Sequence, residues 1–291
     1  MMNHIWIMLI GALVASSCSL VGCFLVLRKM SMIGDAISHA ILPGIVIAFL
    51  LSGTRDSFVM MIGAAVIGII TVFLIQMFQN NGVQSDASIG VVFTALFAGG
   101  VVLVSLFTRQ VDLDLDCVLY GEIAYAPWDT FIINGMELGP KAVWIVGSIF
   151  LLNILVIGLF YKQFKLCSFD PAMAAALGIP VVFFHYLLMS LVSLTTVSSF
   201  ESVGAILVVG MIIVPAATAY LLTDRLFIMI IYSMIAGIVS AVLGYYFAYL
   251  MDASIAGCMI MVAGFLFFIT LFASPKHGVL FKKWRRKKLV I

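Results

Sequence analysis

Apolar runs of about 20 residues, the length that carries a helix across the hydrocarbon of a bilayer, follow one another through most of this 291-residue chain. Nine can be marked, near residues 5–27, 33–52, 58–78, 87–107, 142–161, 180–199, 204–222, 226–250 and 254–274. They lack the apolar stripes or alternation from which a water-soluble core is built. Only 10% of the residues are charged, against about 25% in an ordinary soluble domain. The sequence therefore predicts an all-α, polytopic membrane protein with nine transmembrane helices. An eight-span version with one re-entrant segment stays open, because Pro43, Gly44 and Pro215 interrupt the second and seventh runs.

Charge lies mostly between the runs. With the amino terminus outside, twelve of the fifteen lysines and arginines fall on the cytoplasmic side, and Arg55, Arg109 and Lys141 stay outside. That is the bias of the positive-inside rule. Seven of the twelve belong to the tail, but the five others still outnumber the three, and the acidic run from Asp112 to Asp116 falls outside. The expected organisation is one transmembrane domain over residues 1–275 and a basic tail over 276–291, with the carboxyl terminus cytoplasmic. Residues 1–27 read as a retained first helix, since Arg28 and Lys29 follow the apolar run instead of preceding it. A chain without a targeting presequence fits a bacterial plasma membrane. The five cysteines form no C-x-x-C pair and read as small buried hydrophobes. The net charge of +2 is too small to say anything about partners, and no nucleic-acid partner is expected.

Two connections are long enough to hold structure. The outer one, about 108–141, carries Tyr120, Tyr125 and Trp128 among few charges and predicts a short interfacial helix near 116–130, either an aromatic belt or part of a gate. The cytoplasmic one predicts a short helix over 169–178. Phe169 precedes it, Asp170 stands at the N-cap, Pro171 at the first helical position, Ala174 within, and Gly178 with Pro180 end it. Its small-residue surface suits the groove of another protein, or it is a connector that docks on nothing.

The stretch SMIGDAISHAILPGI, residues 31–45, places Asp35 and His39 four positions apart within an apolar run. At that spacing they share one helical face, so one cation can bind both. A charged side chain in hydrocarbon costs about 3 kcal/mol even on the lenient scale, so such residues usually face a bundle interior or a wet path. Ser38 adds a hydroxyl, and Pro43 with Gly44 weakens the helix one turn on. Two plainer readings stand beside this one: the two side chains bond to each other, or Asp35 pairs with Arg28 and Lys29 at headgroup level. Oxygen with imidazole nitrogen suits manganese, ferrous iron or zinc. Two ligands from one chain are too few, and a dimer facing itself across a central path supplies four. Glu201, between spans six and seven, reads as an outer-mouth ligand or a solvated loop charge. His4, His185 and His277 read as structural or solvated, and Asp86, Asp224 and Asp252 as caps or headgroup neighbours. No nucleotide-binding loop and no catalytic set of serine, histidine and acid is present, so the chain is not read as an enzyme.

SMIGDAISHAILPGI, SFESVGAILVVGMIIVPAATAYLLTDR and FDPAMAAALGI together resemble the membrane permease subunit of the ABC-type manganese/zinc/iron importers, over about residues 10–274. The resemblance implies the type II importer permease fold and a dimer, formed with a second copy or a sister permease. It also implies a cytoplasmic ATP-binding subunit that hydrolyses the ATP and an extracytoplasmic metal-binding lipoprotein that delivers the ion. By the same resemblance Asp35 and His39 take the intramembrane metal-contact positions and residues 169–178 that of the coupling helix. The outer segment is similar in position to the short gating helix of cobalamin and siderophore importers. The surround G-D-A-x-S-H-A-x-L-P-G resembles the manganese branch, which ranks manganese first, iron next and zinc third. A proton-coupled secondary metal transporter without an ATPase is the alternative.

Overall fold

The structure, a computed structural model of the chain, describes residues 2–53, 57–107, 123–133 and 136–274. Long apolar helices dominate it: α1 (Met2–Leu27), α4 (Ser57–Asn80), α5 (Ser85–Phe107), α6 (Lys141–Leu159), α9 (Val181–Val203), α10 (Ala205–Leu222), α11 (Leu226–Met251) and α12 (Ile255–Ala273). The remaining span is made of two shorter pieces, α2 (Met32–Ala40) and α3 (Leu42–Ser52), which meet at Ile41. Nine segments are thus long and apolar enough to cross a membrane among the described residues. Their bounds lie within a few residues of those read from hydropathy.

Helix α1 sits at the centre, against α6, α9, α10 and α11. Its middle is a run of small residues, Ala15 to Ser19 with Gly22 and Cys23. Without a hydrophobic drive between helices in lipid, such residues let backbones approach closely. At Gly22 a Cβ would stand 1.9 Å from the Ile212 carbonyl oxygen of α10, so only glycine permits the crossing. Polar side chains tie the same core. Asn153 of α6 donates to Ser17 of α1 at 3.2 Å and to Thr195 of α9 at 2.7 Å, all three residues being buried.

Helices α2 to α5 form a second group, joined to the first through α9 and α10. Gly44 of α3 and Gly63 of α4 cross at backbone contact, a Cβ on either lying within about 2.5 Å of the other's carbonyl oxygen. The break at Ile41 has a plain cause: Pro43 has no N–H, so the His39 carbonyl cannot receive its regular helical bond. Pro215 does not have that effect. Helix α10 runs unbroken through it, packed on α1, α11 and α12.

Short elements decorate the two ends. At the end bearing Arg28, Lys162 and Lys165, α7 (Tyr161–Phe169) leads into α8 (Pro171–Ala176). At the opposite end a single 3-10 turn, Ala126–Trp128, precedes an antiparallel hairpin of β1 (Thr130–Ile133) and β2 (Met136–Pro140). Asp129 pairs with Lys141 at 2.7 Å across the hairpin base, and Gly139 lies against the Trp6 ring. The interfacial helix expected near 116–130 is not what residues 123–130 form, and 116–122, with Tyr120, lie outside the described residues. Cys117 and the tail 276–291 lie outside them as well, whereas Cys18, Cys23, Cys167 and Cys258 are buried and free.

Candidate metal site and coupling segment

Asp35 and His39 stand one turn apart on α2, Oδ1 and Nε2 separated by 3.5 Å. An ion about 2.1 Å from each atom, as in zinc sites, would subtend an angle of about 110° across that gap, so the pair can hold one cation without moving apart. The side chains keep 38% and 32% of their surface respectively, while Ile33, Gly34, Ala36, Ile37, Ser38 and Ala40 around them are buried. The pair thus faces out of the chain although its helix lies within a membrane span. Phe93 and Phe97 of α5 flank the imidazole, each ring centroid 6.0 Å from it. Ser38, the third polar member of the stretch, turns inward and donates to the Gly34 carbonyl at 2.9 Å.

Of the two plainer readings, the mutual contact between Asp35 and His39 is present. The pairing with headgroup-level cations is not: Arg28 turns instead to Ser168 and His185, and Asp35 has His39 as its ion-pair partner among the described residues. No group of three or more histidine, cysteine, aspartate or glutamate side chains that could hold a metal occurs among the described residues. The described residues of one chain therefore offer two ligands here. Glu201 is exposed on the last turn of α9, at the other end of the membrane from the start of α2, and does not join them.

Beside His39, α5 presents Thr94, Ala95, Ala98 and Gly99 uncovered. An added Cβ at Gly99 would meet nothing within 4 Å. A face of small residues on a membrane helix admits another helix at close range.

The segment 169–178 folds as its residues require. Asp170 Oδ1 accepts from the Met173 N–H at 2.9 Å and caps α8, with Pro171 at its first position. The other end closes in a Schellman motif: Ile179 N donates to Ala174 O and Gly178 N to Ala175 O, both at 3.0 Å, with Gly178 at φ +78°. Ala174 is buried. Phe169, Met173 and Leu177 stand out with 55%, 53% and 62% of their surface open, an apolar ridge among polar and small neighbours.

The hydrogen-bond set of Asn153 and the Arg28 contacts were not legible as sites in the sequence, since each joins residues more than forty positions apart. For the hairpin a signal existed: Asn134-Gly135 between two β-rich stretches is a strong two-residue turn signature.

Comparison with known proteins adds the following. The family model described as the ABC 3 transport family matches residues 1–274. The chain is 53% identical to the manganese transport system membrane protein MntD of Bacillus subtilis (strain 168) over 280 residues, covering 96% of this chain and 95% of that protein. It is 42% identical to the zinc transport system membrane protein TroD of Treponema pallidum (strain Nichols), covering 94% and 74%. Among solved structures it is similar to PsaBC from Streptococcus pneumoniae in complex with Fab, with a TM-score of 0.79 at 34% identity over 96% of this chain and 94% of that one.

Proposed function

The chain belongs to the ABC 3 transport family, and from that premise we propose that it is the permease subunit of an ATP-driven importer. Its cargo is a divalent metal ion, manganese first with iron and zinc behind it, carried across a bacterial plasma membrane. The observation that carries the metal reading is the Asp35–His39 pair, half open on a membrane-spanning helix. A carboxylate and an imidazole kept there at the cost of desolvation need a wet or protein-lined surround. A second permease, either a copy or a sister chain, packed along the small-residue face of α5, supplies that surround and completes the ligand set.

The basic end, with Arg28, Lys162 and Lys165, is cytoplasmic by the positive-inside rule, and so is the carboxyl terminus. There the ridge of Phe169, Met173 and Leu177, running along and beyond both ends of α8, enters a groove of a separate ATP-binding subunit, and the cap made by Asp170, Pro171 and Gly178 holds the ridge rigid enough to transmit force. At the opposite end a metal-binding lipoprotein delivers the ion, with Glu201 the candidate outer-mouth ligand. The dimer opens outward, holds the ion between paired Asp35 and His39, and opens inward when ATP-driven motion arrives through α8. The site is weak by design, since conduction requires release.

Uptake of radiolabelled manganese tests this reading. Asp35→Ala and His39→Ala are expected to lower the initial rate by about tenfold or more, as loss of a metal-supporting group does, with chain abundance unchanged. Chelation of external metal is expected to abolish the signal. Unimpaired uptake in both variants would place the path elsewhere. Uptake that persists without the ATPase subunit would favour the proton-coupled secondary transporter.

A further inference from the structure

Arg28 leaves the end of α1 and enters a polar niche between α7 and α9. Its Nε donates to Ser168 Oγ at 3.1 Å, and its Nη1 approaches His185 Nδ1 at 3.5 Å. A guanidinium only donates, so Nδ1 accepts and the ring proton sits on Nε2. Two buried donors are then left without acceptors: Arg28 Nη2 and His185 Nε2. Ser168, having accepted through oxygen, keeps its hydroxyl proton to give.

All three residues line a cleft of about 460 Å³, together with Lys29, Gln76 and Asn80. No aspartate or glutamate lines it. Asp170, nearby in sequence, is committed to capping α8. The charge is one-sided and the orphan groups are all donors, so what completes the site is an anion with several acceptor oxygens. The cleft lies where α1 and α4 end and α9 begins, with Leu27, Met30, Val181 and Val182 as its apolar wall. That level of a membrane protein's basic face meets lipid phosphates.

We propose that this cleft binds a phosphate group, held by Arg28, His185 and Ser168 and contributed by an anionic phospholipid of the adjacent leaflet. The binding does not depend on what the chain transports.

The test uses the full chain with its ATPase subunit in nanodiscs of phosphatidylcholine and phosphatidylglycerol, with bound lipid read by native mass spectrometry. Wild type is expected to retain phosphatidylglycerol preferentially. Arg28→Gln is expected to lose about fivefold of that preference, the worth of one basic contact at a charged surface, and His185→Phe, which removes the neutral Nε2 donor, about fivefold as well, the worth of one hydrogen bond. His185→Phe keeps the ring volume and serves alone if Arg28→Gln does not accumulate. Arg225→Gln, an exposed basic-face control outside the cleft, is expected to match wild type. In a second arm, discs of phosphatidylcholine alone receive inorganic phosphate. A rise in melting temperature that Arg28→Gln abolishes, without lipid preference in the first arm, keeps the phosphate site and assigns it to the free ion. The proposal is overturned if wild type responds in neither arm or if the variants respond as wild type does. It is equally overturned if lipid is retained only after the ATPase subunit is stripped away, since a carboxylate of that partner then fills the cleft.

Discussion

Gly44 and Gly63 leave no room for a side chain where α3 and α4 touch. Gly44→Val forces the helices apart, and overpacking of this kind costs about 1–3 kcal/mol. The expected outcome is a clear fall in the melting temperature of the purified protein, with no such fall for Gly158→Val, where an added Cβ meets nothing within 4 Å. Asp35 and His39 were legible in the sequence because an acid and an imidazole one turn apart inside hydrocarbon are costly and so stand out. Arg28 and His185 were not. Each, alone, has a sufficient plain explanation as topology charge or isolated ring, and only folding brings α1 against α7 and α9 to show that they share a niche.

Among the elements, α8 was the most readable because everything that starts and stops it is local: cap, proline, glycine. Asp170→Ala removes the side-chain acceptor for Met173 N, a loss of about 1 kcal/mol in a helix of six residues. That is enough to fray it. Co-purification of the ATPase subunit and manganese uptake should both drop, and Asp170→Asn, which still caps, should restore much of each. If Asp170→Ala and Gly178→Val together leave both intact, α8 does not couple to the ATPase. The hairpin β1–β2 is hidden in the sequence for a different reason: the aromatic-rich outer connection reads as an interfacial helix, and the short-range turn signature Asn134-Gly135 is the one local sign against it. At Pro215 the sequence allows a break and none forms: α10 continues through it, packed on α1, α11 and α12, where neighbouring helices can re-satisfy the freed backbone groups.

For the whole molecule, span number followed from run length alone, whereas the order of packing did not, because every span is apolar and none names its neighbours. A partner permease packed on the uncovered face of α5, as proposed, would lie against Ala98. Ala98→Cys, exposed and small, is expected to form an oxidant-induced dimer in native membranes, its mass telling copy from sister permease. Leu155→Cys, exposed on α6, is expected to stay monomeric, and the reverse result would move the seam. Central α1 has a further consequence, for biogenesis. Helix α1 is made before all four of the helices it packs against, α6, α9, α10 and α11, which begin only at residue 141. It must wait in lipid or at the insertion machinery, its serines unshielded, until those partners arrive. A chain stopped after residue 203 is therefore expected to be cleared by membrane proteases far faster than the full chain in a pulse-chase, because α1 would still lack α10 and α11.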